Sequence, residues 1–281
     1  MRIFIDGHVH FYDCFDRDIF FDSAWHNFQR AAERAGSPAE ESRLVLLLAE
    51  GGRENRFVRE RENRVPPETG GSGTWEQAVV QEPGLLLFRN REHPERTLYM
   101  AAGFQVVTLE KIEVLSLLCQ QRIRNGLSLG ETVAAVQRVG GLAVVPWGAG
   151  KWLGGRGALV RALLGDPSVF VRAGDNGGRP RWWPEPAVFR TATAVHGPLL
   201  SGSDPLPLPE EARRVGGFGV ILTIAGSGHE NFLQALRMEL SNPDADIQAY
   251  GRLSSMTTFL IRQAQLRLGR RPERTGADDA A

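Results

Sequence analysis

Two imidazoles stand one residue apart in Asp6-Gly7-His8-Val9-His10, directly after the apolar run Arg2–Asp6. In extended chain, residues i and i+2 leave the backbone on the same side, so both rings can grip one cation. Asp6 and Asp13 offer oxygen ligands or acceptors for the histidines. The competing reading is a pair of inert, hydrogen-bonded histidines in a turn. A late carboxylate, Asp204 in Ser201-Gly202-Ser203-Asp204-Pro205, can ligate a metal, orient or deprotonate a water, or merely cap a helix beginning near Pro209.

Two glycine-rich segments carry charge and aromatic rings. Pro146–Gly157 holds Lys151, one of only two lysines beside 31 arginines, with Arg156, Trp147 and Trp152. Such a loop can bind a phosphate or carboxylate through amides and cations, with a tryptophan as the wall. It lacks the spacing of a Walker motif. Gly174–Pro180, with Asp175, Asn176 and Arg179, repeats that chemistry before Trp182 and Trp183; an Asn-Gly turn is the plainer alternative. His26, His93 and His196 read as structural or surface residues, His229 as a weak site candidate, and Glu110 and Glu113 as solvated charges beside Lys111. Cys14 and Cys119 form no CxxC and suggest neither a disulfide framework nor a zinc knuckle.

The elements that must position these groups follow from hydrophobic period. Strands are expected at Arg2–Asp6, Arg43–Leu48, Leu85–Phe88, Thr97–Val107, Ile112–Leu118, Leu142–Val145, Val169–Val171, Leu199–Leu200 and Val220–Ile224. Helices are expected at Trp25–Arg34, Leu129–Val139, Ala158–Leu164, near Glu230–Leu240 and at Thr257–Arg267. Ser128 and Glu131 form a capping box, and Gly140-Gly141 stops that helix. Arg53–Gly73 reads as an exposed excursion and Arg271–Ala281 as a frayed tail. Polar, glycine-rich stretches fall after the carboxyl ends of strands, the edge on which α/β folds assemble sites.

The chain has 281 residues, 42% of them hydrophobic and 23% charged, with 33 basic against 33 acidic side chains. A zero formal charge gives no global field for nucleic acid or an anionic membrane. No apolar run reaches the ~18–20 residues of a membrane span, and MRIFIDGHVH does not read as a signal peptide. A soluble, cytoplasmic protein is expected.

Taken in order, the segments resemble the PHP family of metal-dependent phosphoesterases. His8-Val9-His10 is similar to that family's opening HxH, Gly103-Phe104-Gln105-Val106 to its GxE strand, Ser128–Val145 to its helix, double glycine and apolar strand, and Ser203-Asp204 to its late SD. The resemblance implies one distorted (β/α)7 barrel over residues 1–268 and a flexible tail over 269–281. Four family groups are replaced. Ala49-Glu50-Gly51 stands where the family carries TDH; Gln105, Trp147 and Leu206 stand for a glutamate and two histidines. What remains suits one divalent ion, zinc, manganese or iron, held by His8, His10 and Asp204, and no second. The set also resembles mononuclear amidohydrolases, whose two further histidines have no match here.

The expected function is a one-metal hydrolase acting on a phosphoester or amide in a small anionic substrate. Asp204, Lys151 and Arg156 take the catalytic roles, while Trp147, Asp175, Asn176 and Arg179 bind the ligand. The alternative is a catalytically reduced PHP-like protein, without metal, that binds an anionic ligand or a protein partner.

Overall fold

The structure is a computed structural model; it describes residues 1–52, 54–62, 73–224 and 231–269, with 266–269 by backbone only. It corrects the expected barrel. The strands form two mixed sheets that do not close into one another.

The larger sheet centres on β1 (Arg2–Val9) and β2 (Arg43–Leu48), which run parallel. Beyond β2 lie β5 (Thr97–Ala101), β4 (Leu85–Asn90) and β3 (Trp75–Ala78). On the other flank β11 (Phe218–Thr223) pairs antiparallel with β1, and β12 (Ile247–Gly251) with β11. The smaller sheet runs β10 (Leu200–Gly202), β9 (Arg172–Asn176), β8 (Leu142–Pro146), β7 (Glu113–Leu117) and β6 (Gly103–Val107). Strands β8, β9 and β10 are parallel; β7 opposes both its neighbours.

Alternation along β1 and β2 explains the layering. Phe4, Leu44, Leu46 and Leu48 point into a core shared with α1 (Arg17–Arg34), which contributes Phe20, Phe21, Ala24 and Phe28. Ile3, Ile5, Val45 and Leu47 point the other way, onto Leu115, Leu117, Val144 and Leu200 of the smaller sheet. That sheet's far face packs on α3 (Leu129–Arg138), α4 (Gly154–Leu164) and α5 (Ala187–His196). Each fully buried side chain of this kind contributes about 1.5–3 kcal/mol, which fixes the register of both central strands.

Several expected elements move. Asp16 caps α1 by accepting the Ile19 amide, so the helix starts eight residues before Trp25. Thr97–Val107 is two strands in different sheets, broken at Ala102. Val169–Val171 precedes β9 rather than forming it, and Gly174–Asn176 is strand, not loop. The excursion after Arg53 contains α2 (Arg56–Arg61), which buries Arg56, Phe57 and Glu60 and so is part core, while Arg61 and Glu62 are exposed. Arg53, residues 63–72, His229 with 225–230, and the tail from 270 lie outside the described residues. The remaining helices are α6 (Phe232–Leu240), which packs into the core between the sheets, and α7 (Met256–Gly269). No helix among the described residues is long and apolar enough to cross a membrane.

Candidate metal centre

The carboxyl ends of β1, β8, β9 and β10 bring His8, His10, Trp147, Asn176 and Asp204 to one edge, between the sheets. Two glycines permit the closest approach. A Cβ at Gly202 would lie 2.2 Å from the His8 amide nitrogen, and one at Gly7 would lie 2.8 Å from the Ser201 carbonyl oxygen. Strand β10 therefore presses directly on β1, and the Asp204 amide donates to the His8 carbonyl at 2.9 Å.

The three polar tips converge. His8 Nε2 and His10 Nε2 are 3.2 Å apart, and Asp204 Oδ1 lies 3.6 Å from the first and 3.9 Å from the second. A point equidistant from these three atoms lies about 2.1 Å from each, the length of a zinc–nitrogen or zinc–oxygen bond. His8, His10 and Asp204 thus form a group that could hold a metal ion. With three protein ligands, an ion held there would keep a position free for water or substrate.

Neighbours prepare each ligand. Asn176 Nδ2 donates to Asp204 Oδ2 at 2.9 Å and to the Trp147 carbonyl at 2.8 Å, so Oδ1 alone faces the histidines. Asp204 itself sits at φ 46°, in the left-handed region that a non-glycine residue adopts at a cost. His10 Nδ1 lies 3.4 Å from Glu54 Oε2, while Tyr12 stacks on the ring. Burial lowers the pKa of His8, outweighing the Asp204 charge, which favours the neutral ring over the charged one. At His10 burial acts in the same direction but loses to Glu54 and Asp204, and the pKa is raised. Burial pushes Glu54 up, yet the His10 contact prevails and holds it below the usual range.

The centre opens into a cleft of about 660 Å³ lined by His10, Gln105, Glu113, Trp147, Lys151 and Asp204, among others. Lys151 reaches it but pairs with Glu113. Glu113 opens β7, and because β7 runs against its neighbours, its first residue reaches the edge where the other strands end. It is a cleft residue, not a solvated charge. Arg156 is not in the lining; it donates to the Gly150 carbonyl of its own loop. Asp175 and Arg179 are buried and consume one another through two 2.8 Å hydrogen bonds, leaving neither for a ligand. Asp6, expected near the metal, instead accepts the amides of Ser203 at 2.7 Å and Gly216 at 2.8 Å. Asp13 pairs with Arg59 at the surface. Glu54 and Tyr12 escaped the sequence reading, which placed Glu113 in solvent; the signal for Glu54 was its place after β2, four residues beyond Glu50.

No family model matches the chain, nor does any curated protein. Among solved structures it is similar to PsfC from Pseudomonas syringae PB-5123, at 14% identity and a TM-score of 0.55, over 95% of this chain and 98% of that one. At that identity the similarity extends to the fold alone.

Proposed function

We propose that the chain is a one-metal hydrolase of the PHP or amidohydrolase type, acting on a phosphoester or amide in a small anionic substrate. The observation that carries the reading is the convergence of His8, His10 and Asp204 around a point at bond length from all three. A divalent ion there, zinc, manganese or iron, would supply the Lewis acidity that makes water nucleophilic near neutral pH. Asn176 holds Asp204 in the ligating orientation, and Glu54 fixes the ring of His10. Glu113, facing the cleft, accepts the proton of the attacking water, and Lys151, its partner, stabilises the anion that develops. Trp147 forms the wall and keeps bulk water from one side.

One observation favours the second reading, a PHP-like protein that binds without turnover. Gln105, Trp147 and Leu206 all line the cleft, where a richer ligand set would supply charge. Elemental analysis of untagged protein, with turnover of a generic phosphoester with and without chelator, decides between them. The expected result is one tightly held divalent ion per chain and chelator-sensitive hydrolysis, both abolished by His8→Ala or His10→Ala. Two or more equivalents would overturn the ligand count; no metal, with stability unchanged by chelator, would favour the binding protein.

A further inference from the structure

In the lining of the same cleft, two guanidinium groups share one carboxylate. Arg262 of α7 donates through Nε to Glu211 Oε1 at 2.6 Å, and Arg214 donates through Nη1 to Glu211 Oε2 at 2.7 Å. Glu211 is 2% exposed, and its Oε2 also accepts the Leu206 amide at 3.3 Å. Arg262 Nη1 is held by Ser254 Oγ at 2.9 Å. Among the described residues neither Arg262 Nη2 nor Arg214 Nη2 has an acceptor, and both side chains line the cleft. Glu210 lies on the outer side, accepting from Gln265.

Within this group two guanidiniums share one carboxylate, so one positive charge is left over locally; elsewhere in the cleft Glu113 cancels Lys151, and Asp204 belongs to the metal centre. Burial depresses the Arg262 pKa, and the next contribution is repulsion by Arg214, as two cations crowded together require. Leu206, Pro207, Leu208 and Phe259 line the same cleft, and the side chains of Arg214 and Arg262 are only 18% and 15% exposed. In such a setting a planar anion that meets the free N–H fork gains more than it would at an open surface.

We propose that Arg214 and Arg262 bind a carboxylate on the substrate, at the end remote from the bond that meets the metal centre. The inference rests on the cleft being a substrate site, as proposed above. A single unmatched charge favours a monoanion: a phosphate dianion would leave a negative charge beside Leu206, Leu208 and Phe259. Of the cations the sequence suggests, Arg156 does not line the cleft, and Lys151, beside Glu113, is assigned to the developing anion. The carboxylate therefore determines which substrates are accepted, through residues about fifty positions apart that meet only in the fold.

Calorimetry on the full chain, with and without added zinc, tests this with two probes. Phosphoglycerate carries both a phosphate and a carboxylate; glycerol phosphate lacks the carboxylate. Phosphoglycerate is expected to bind about tenfold more tightly or better, a difference of about 1.4 kcal/mol. Arg262→Met or Arg214→Met should reduce that preference to under about threefold without changing zinc content, and Arg262→Lys should retain part of it. Equal affinities in the unsubstituted protein, or a preference that survives both methionine variants, would overturn the proposal. Zinc uptake without the preference would sink this inference and spare the metal reading. An arginine-dependent preference in protein that takes up no zinc would do the reverse.

Discussion

Asp204 divides its two oxygens between tasks, one towards the histidines and one held by Asn176, and this division makes Asn176 a positioning residue. Asn176→Ala should lower zinc affinity by about 10–100-fold while leaving the fold intact, and Glu54→Gln should act similarly through His10. Competition with a chromogenic chelator measures both. Asp6 gives a pH test. Full burial raises its pKa to about 6 despite three backbone donors. Because the folded value lies above the unfolded one, the stability it contributes is complete below about pH 4 and is lost as pH rises through about 6. In chelator-treated protein, stability relative to Asp6→Asn should fall by about 3 kcal/mol between about pH 4 and pH 7, as read by urea denaturation. An unchanged difference would mean that the Asp6 carboxyl is not shifted. The HxH pair and Asp204 were legible because local spacing next to apolar strands carries their meaning. Glu54 and Glu113 were not, since a carboxylate in a polar stretch looks the same whether it faces solvent or a cleft.

Strand β10 reaches the centre only because Gly202 lets it lie against His8. Gly202→Ala should therefore abolish zinc uptake and cost about 1–3 kcal/mol of stability, since backbone must shift to admit the methyl group; calorimetric unfolding reads the second effect. Arg172 of β9 joins elements by another route. Its buried guanidinium donates to the carbonyls of His196, the last residue of α5, and Pro198 just beyond it, and of Leu240, the last residue of α6, and Asn242 just beyond it. These are the negative ends of two helices, and no carboxylate is required there. Arg172→Met should cost about 3–5 kcal/mol by leaving those carbonyls buried and unpaired, a loss measurable from the melting transition. This also explains why β9 was misplaced. A strand that begins with arginine and ends Gly-Asp-Asn reads as a turn, whereas the neighbouring Val169–Val171 reads as core; burial with satisfied polar groups reversed the preference. The capping box of α3 was read correctly because it is local, with both reciprocal hydrogen bonds formed.

At the scale of the whole molecule, the core between the sheets includes residues of β1, β2, β7, β8, β10, β11 and α6. Neither sheet has that face buried without the other. Thermal unfolding of chelated protein should therefore be a single transition, with equal calorimetric and van't Hoff enthalpies; two separable transitions would contradict a common core. Alternating strands and helices did announce an α/β fold. The hydrophobic pattern could not announce strand direction: Phe218–Thr223 reads alike in either sense, yet it lies antiparallel to β1, and the sheets stay separate where a barrel was expected. The same pairing has a consequence for biosynthesis. Strand β1 leaves the ribosome early, but one of its partners follows more than two hundred residues later, and Asp204 emerges only shortly before that strand. At typical elongation speeds of about 5–20 residues per second, the two histidines wait roughly 10–40 seconds for their carboxylate. During that interval the nascent chain shows a half-paired apolar strand to its surroundings, and any ion it meets is offered only two ligands. A metal ion held by His8, His10 and Asp204 would thus be loaded late in the life of the polypeptide, with completion of the central sheet.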